Sequence, residues 1–334
     1  MKYPWHEAEL VRLLAARATL HHALLIEGQP GIGKQDFALA VAGALLCEST
    51  GPDGRACGRC LACGWFREGS HPDFRWVRPE AQDPNFVPTR DRKPSRQIRV
   101  EQIRSVSGFV SIGTHRAGRK VVLVEPAETM NAVSANALLK TLEEPPGDTV
   151  FLLVCGHPDA LPATVRSRCR RIPLVTPPAA QAAEWLATQA GIGIEEAATW
   201  VAAAGGAPLQ ALRLAEPTGA TAHRAVLETL GGIPDIAIVD AAARLQQFDA
   251  DAWIPVVRAW VTDLARVIGG AAPRFLPGER ARLEAIATRT RLDRVLRLEA
   301  DLAATVVASE QSLNQRLLAE GVLLRCREAF DPWR

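Results

Sequence analysis

Gly28-Gln-Pro-Gly-Ile-Gly-Lys-Gln35 sits between a strand-like run, residues 22–27, and a helix-like run, residues 36–47. A strand, a glycine-rich turn and a helix N-terminus together make a phosphate cradle, because the turn aims backbone N–H groups inward at the positive end of the helix. Gly28, Gly33 and Lys34, with Gly31 between them, satisfy the G-x-x-x-x-G-K-[ST] pattern up to its last position. There Gln35 replaces the hydroxyl that would hold magnesium. The stretch predicts a nucleotide-binding core with one catalytic part missing.

Outward from this loop, strands and helices alternate. Apolar spacing predicts a short helix over 7–17, a second strand at 74–77 and a helix over 100–111. Residues 120–125 carry four consecutive apolar positions, which suits a strand buried on both faces. Ala135, Leu138, Leu139 and Leu142 give 131–144 helical spacing, and Pro145-Pro146 ends that helix. Two more strands fall at 149–154 and 170–175, so the expected fold is α/β, a five-stranded parallel sheet wrapped by helices. Residues 79–96, with four prolines and no apolar period, read as an exposed loop. Beyond Pro177-Pro178 the pattern is helical throughout. Three domains are expected: a core over 1–176, a small helical unit over 177–215 broken at Gly205-Gly206-Ala207-Pro208, and a helical bundle over 216–334 with long helices at 292–307 and 313–330.

Composition narrows the class. With 48% apolar and 23% charged residues in 334, the chain reads as globular, and its net charge of +2 is too small to argue for nucleic-acid binding by itself. No run reaches the length of a membrane span, and Met1-Lys-Tyr-Pro-Trp-His lacks an apolar signal core, so a cytoplasmic protein is expected, with no membrane partner. Seven cysteines, an odd number, argue against a disulfide framework. Four of them, Cys47, Cys57, Cys60 and Cys63, follow C-x9-C-x2-C-x2-C. Thiolates two residues apart reach one tetrahedral ion, and four close its shell, so the motif predicts structural zinc. An iron–sulfur cluster is the rival, but the downstream element of ferredoxin-type runs is absent.

Two further parts of an ATPase are missing. The third strand ends in Glu125-Pro126-Ala127-Glu128, where one carboxylate should hold magnesium and the next activate water; Glu125 suits the metal, but Pro126 is no base. The fourth strand runs into Cys155-Gly156, where a polar sensor of the γ-phosphate belongs, and a thiol is a poor donor.

Asn136-Ala-Leu-Leu-Lys-Thr-Leu-Glu-Glu-Pro-Pro146, followed by Ser167-Arg168-Cys169, resembles the bacterial clamp-loader family of AAA+ proteins. The phosphate loop, the four-cysteine insert, Gly69-Ser-His-Pro-Asp73, Ile98-Arg-Val-Glu-Gln-Ile103 and Leu313-Asn-Gln-Arg-Leu-Leu-Ala-Glu-Gly-Val-Leu-Leu-Arg325 agree with it, so the resemblance covers essentially the whole chain. It implies an AAA+ core, a helical lid and a C-terminal collar, within a ring of three motor (gamma/tau) subunits, a clamp-opening delta subunit and one more chain, which together load a sliding clamp on primed DNA. In the motor subunits a hydroxyl, an acidic pair and a lid arginine are expected; here those positions hold Gln35, Pro126 and Leu209. The resemblance therefore implies a non-hydrolysing member, and an ATP-hydrolysing motor is the alternative.

Arg168 matches the family's arginine finger, which acts in trans on nucleotide bound by the adjacent subunit. A planar guanidinium suits charge developing on phosphate oxygens. Arg166, Arg170 and Arg171 add a basic patch, assigned to the subunit interface because no aromatic interleaves it. For Lys34 two readings stand. An empty, vestigial loop is preferred to one that binds ATP without turnover. His21, His22, His71 and His157 have no ligand-spaced partner and read as structural or surface residues. A zinc-stabilised nucleic-acid-binding module is the remaining rival, and near-neutral charge speaks against it.

Overall fold

Five strands, β1 (Ala23–Glu27), β2 (Phe74–Val77), β3 (Lys120–Val124), β4 (Thr149–Cys155) and β5 (Arg170–Pro173), pair in parallel in the order β2-β3-β4-β1-β5. The computed structural model describes residues 3–87, 93–115, 118–309 (side chains to 303) and 314–330. Every residue of β1, β3 and β4 is buried, which is why each carries at least four consecutive apolar residues rather than an alternation. β5, at one edge, buries only Ile172. In register, Leu25 of β1 lies beside Leu153 on one side and Arg171 on the other.

Helices cover the sheet. They are α1 (Glu7–Ala15), α2 (Lys34–Leu46), α3 (Leu61–Arg67), α4 (Val100–Ser111), α5 (Ala132–Glu143) and α6 (Ala163–Arg166). Ile103, Val106, Leu138 and Leu142 of α4 and α5 join Leu25, Val122, Phe151 and Leu153 in one core, where each fully buried side chain contributes about 1.5–3 kcal/mol. Both helices are capped by their own sequence. Asn131 accepts a hydrogen bond from Ser134 N at 2.9 Å, and Gln102 reaches back to accept from Arg99 N at 2.9 Å. The residue before a proline is pushed out of the helical region, so α5 stops at Glu143 and Glu144 turns to φ −130°.

Element ends differ from expectation in ways that matter. The first helix stops at Ala15 and continues as a 3-10 turn, Arg17–Thr19. The helix after the glycine loop begins at Lys34 and ends at Leu46, leaving Cys47 extended. Residues 79–96 are not a free loop at both ends: Ser95 N donates to Glu80 Oε2 at 3.0 Å and Ala81 N to Ser95 O at 2.9 Å. Residues 88–92 of that stretch lie outside the described residues, as does Leu313, where the last helix was expected to start.

The chain separates into two compact units, Met1–Thr176 and Pro177–Arg334. In the second, α7 (Ala179–Ala190), α8 (Ile194–Ala203) and α9 (Pro208–Ala215) enclose a small core of Ala182, Ala183, Leu186, Ala197, Val201 and Ala211. A separate core centred on Trp253, Val257 and Trp260 is built by α10 (Pro217–Gly231), α11 (Ile238–Leu245), α12 (Ala250–Ile268), α13 (Arg280–Ala287), α14 (Leu292–Ser309) and α15 (Gln315–Glu328). Buried Asp263 pins the chain after α12 by accepting from the backbone N–H groups of Arg274, Phe275 and Leu276 at 2.6–2.8 Å. Among the described residues no helix is long and apolar enough to cross a membrane.

One buried ion pair joins the edge of the sheet in the first unit. Asp73 accepts from His115 N at 3.1 Å and from Lys120 Nζ at 3.4 Å, while the Lys120 ammonium lies 4.2 Å from the centre of the Phe109 ring. Burial alone would raise the Asp73 carboxyl, but the His115 and Lys120 donors hold it below the ordinary aspartate value. The pair's stabilisation is therefore complete above about pH 4 and is lost as pH falls through the lower, folded value. Asp73→Asn leaves Lys120 buried without its counter-charge and is expected to cost about 3–5 kcal/mol at pH 7 in urea unfolding, a penalty that shrinks below about pH 4. A penalty under about 1 kcal/mol, or one that does not vary with pH, contradicts this.

Candidate functional site

The glycine loop occupies the C-terminal edge of the sheet, directly after β1 and between the ends of β4 and β5. Gly28 and Gly33 are required there by space as well as by conformation. A Cβ on Gly28 would sit 2.4 Å from Leu174 O, and one on Gly33, at φ +95°, would sit 2.3 Å from the Tyr3 ring. Gly31 also takes a positive φ, and Lys34 is the first residue of α2, so the structure brings together the four residues the motif singled out.

Their state differs from an open cradle. Lys34 is 8% exposed, and its Nζ donates to Gly28 O at 2.8 Å and to Gln29 O at 2.9 Å. Two of three ammonium protons are thus held by the loop's own carbonyls. Burial lowers the Lys34 pKa, opposed by the carboxylates of Glu128 and Glu125. Over the loop lies an N-terminal segment that belongs to no sequence motif. Trp5 Nε1 donates to Ile32 O at 2.8 Å, and His6 Nε2 meets the same carbonyl at 2.8 Å. A carbonyl only accepts, so that ring nitrogen carries the proton. Burial lowers the His6 pKa, which makes the ring neutral at pH 7. Tyr3 stacks on Trp5, with ring centroids 5.2 Å apart, and is 2% exposed. This is the chain's single tyrosine, in a sequence only 5% aromatic, and its rarity is the one signal in the sequence that could have drawn attention to the segment.

The floor of the site lacks the chemistry of hydrolysis. Gln35 is exposed at the magnesium position. Burial pushes the Glu125 carboxyl up to about 7, against the pull of Lys34. Glu128, also unremarked in the motif, accepts from Gly156 N at 2.7 Å. Burial, reinforced by Glu128, pushes the Cys155 thiol to about 12, so it stays protonated. Two carboxyl groups therefore face the one lysine that a phosphate chain would need.

Arg168 lies at the opposite edge of the sheet. It lies two residues before β5, beside His21 and His22 ahead of β1 and Glu143 at the end of α5. Five residues of parallel strand span about 16 Å, which separates this arginine from the chain's own loop. Arg168 Nε donates to Glu143 Oε1 at 2.6 Å, its NH2 donates to the same oxygen, and NH1 donates to Thr164 O at 2.8 Å. A cavity of about 580 Å³ opens beside it, lined in part by His21, His22, Ser167 and Arg170. The surrounding basic patch is largely neutralised: Arg166 pairs with Asp159 at 3.1 Å and Arg171 with Glu27 at 2.7 Å. His22 donates to Leu142 O at 2.8 Å and stacks on His21, a structural use of both rings.

Cys47, Cys57, Cys60 and Cys63 place their sulfurs within 4.8 Å of one another, with 3.9 Å between Cys47 and Cys60 and 4.0 Å between Cys57 and Cys63. An ion with metal–sulfur bonds of about 2.3 Å needs sulfur–sulfur edges of about 3.8 Å, so the cluster has the right size to hold one. Cys57 N, Cys60 N and Cys63 N each donate to the sulfur of an earlier cysteine at 3.2–3.4 Å, an orientation that supports thiolates. Burial pushes Cys63 up to about 12 while backbone donors bring Cys57 down to about 6, so four thiolates coexist only around a cation. Among the described residues no histidine joins this or another ligand cluster.

A family model described as "DNA polymerase III, delta subunit" matches residues 7–178. The DNA polymerase III subunit delta' of Pseudomonas aeruginosa is 44% identical over 216 residues, covering 64% of this chain and 61% of that protein. The subunit delta' of Escherichia coli is 30% identical over 337 residues, covering 99% of this chain and 96% of that one. The DNA polymerase III subunit tau of Salmonella typhimurium is 35% identical over 150 residues, only 45% of this chain and 21% of its own.

Proposed function

The chain belongs to the family of DNA polymerase III delta subunits, and from that premise we propose that it is the delta-prime subunit of a bacterial clamp loader. It assembles with motor (gamma/tau) and delta subunits and lends Arg168 to the ATP site of a motor neighbour, while hydrolysing nothing itself. The observation that carries this reading is the position of Arg168. It stands at the edge of the sheet away from the chain's own loop, so a nucleotide it serves must be bound by another subunit. A guanidinium there stabilises charge developing on the transferred phosphoryl group, and through the ring it promotes loading of the sliding clamp on primed DNA.

The loop fits the other half of the proposal. Lys34 is turned onto carbonyls, Tyr3, Trp5 and His6 cover the glycines, and Gln35, Pro126 and the Cys155 thiol supply neither metal ligand, base nor sensor. The reading as a motor ATPase is disfavoured by the same residues and by the short stretch that aligns with tau. In the second unit, the separate cores of α7–α9 and α10–α15 support a lid over 177–215 and a collar over 216–334. The collar would pack with its counterparts in the ring. For the four cysteines the fitting ion is zinc, which favours four thiolates in a closed tetrahedron and adds folding energy rather than catalysis.

In a complex reconstituted with motor and delta subunits, Arg168→Ala is expected to leave assembly intact. It should lower steady-state ATPase by at least about a third, the share of one motor site in three. Unchanged turnover in the assembled complex contradicts the in-trans role. Metal analysis of the purified chain should find about one zinc per molecule, and Cys60→Ser should lower the melting temperature and abolish that content. A metal-free chain with an unshifted melting curve overturns the zinc assignment.

A further inference from the structure

An arginine finger helps a transition state only if its fork is already aimed. The side chain is long and rotamer-rich, and fixing it at the moment of reaction would consume the advantage it brings. What aims it must therefore come from its own subunit. We propose that Glu143 is the positioning residue for Arg168, an inference that rests on the in-trans role given to that arginine above.

Three observations carry it. First, all three nitrogens of the guanidinium are engaged inward: Nε and NH2 on the single oxygen Glu143 Oε1, and NH1 on Thr164 O at 2.8 Å. Contacts on two edges fix the guanidinium plane, where one alone would leave it free to swing. Second, both supports stand on defined elements. Glu143 is the last residue of α5, held at that point by the turn into Pro145-Pro146, and Thr164 lies in α6, which packs against α5. Of the two adjacent glutamates only Glu143 meets the arginine; Glu144 makes no ion pair among the described residues. Third, the pair is wet, with side chains 32% and 48% exposed, so it adds little to folding. Its use lies in orientation. The cavity of about 580 Å³ beside it, lined by both Glu143 and Arg168, leaves room for a phosphate chain to approach the guanidinium.

A carboxylate so close to the approaching phosphates also has an electrostatic cost, so the position needs an acceptor rather than a negative charge. That separates the variants. In the reconstituted complex, Glu143→Ala is expected to reproduce at least about half of the loss in kcat seen with Arg168→Ala, with KM for ATP unchanged. Glu143→Gln, which keeps an acceptor oxygen, should recover most of that loss. The double variant Glu143→Ala/Arg168→Ala should be no slower than Arg168→Ala alone, because the glutamate acts only through the arginine. Glu144→Ala should turn over like the parent, and all variants should melt with it. The proposal is overturned if Arg168→Ala slows turnover while Glu143→Ala does not, if the double variant is slower than Arg168→Ala, or if Glu144→Ala matches Glu143→Ala. If Arg168→Ala itself has no effect, the in-trans role fails first and takes this inference with it.

Discussion

All five strands run in one direction, and that single constraint makes the two edges of the sheet chemically different. Turns leaving the C-terminal edge open onto helix N-termini, where backbone N–H groups favour anions. Turns entering at the N-terminal edge have no such field, and an anion can be met there only by a side chain. The glycine loop and Lys34 lie at the first edge and Arg168 at the second, about 16 Å away along the strands. No movement of one side chain closes that gap. A chain built this way can hold a nucleotide or complete a neighbour's site, and the two tasks are independent. Loss of the first leaves the second untouched.

The local chemistry at the first edge is consistent with such a loss. The loop keeps its glycines because space still demands them: the Gly28 Cβ would strike Leu174 O and the Gly33 Cβ the Tyr3 ring. Retention of the motif is thus explained by packing, without any nucleotide. Lys34 has found carbonyl partners, and the N-terminal aromatic segment has become part of the loop's packing through Ile32 O. Glu128, tied to Gly156 N, adds negative character where a triphosphate would bring more, and the half-buried Glu125 carboxyl beside it is pushed up to about 7.

Much of this was legible from residues alone, for physical reasons that differ by element. β1, β3 and β4 announced themselves because strands buried on both faces must be apolar throughout. α5 was delimited by Asn131 and the two prolines, and the glycine loop by its spacing. Element ends were less legible: Cys47 leaves α2 early because it turns toward three other sulfurs, a requirement no helical period contains. The contacts that finish the site were hidden for a further reason. Tyr3, Trp5 and His6 meet the loop across more than 25 residues of chain, Glu128 meets Gly156 across 28, and Glu143 meets Arg168 across 25. Such partners are set by strand order, which periodicity does not reveal. The basic patch around Arg168 shows the same limit. In sequence it is four arginines, whereas in space three of them are paired with acids, two of which, Glu143 and Glu27, come from distant elements.

The most direct test of the central claim is equilibrium titration of the isolated chain with magnesium ATP, followed by a turnover assay on the same sample. The account predicts no saturable binding up to about 1 mM and no hydrolysis, since the lysine, the glycines and the metal position are all otherwise occupied or chemically unsuited. Measurable hydrolysis by the isolated chain would contradict it, and would mean that Gln35, Pro126 and Cys155 have been compensated by groups at the loop itself.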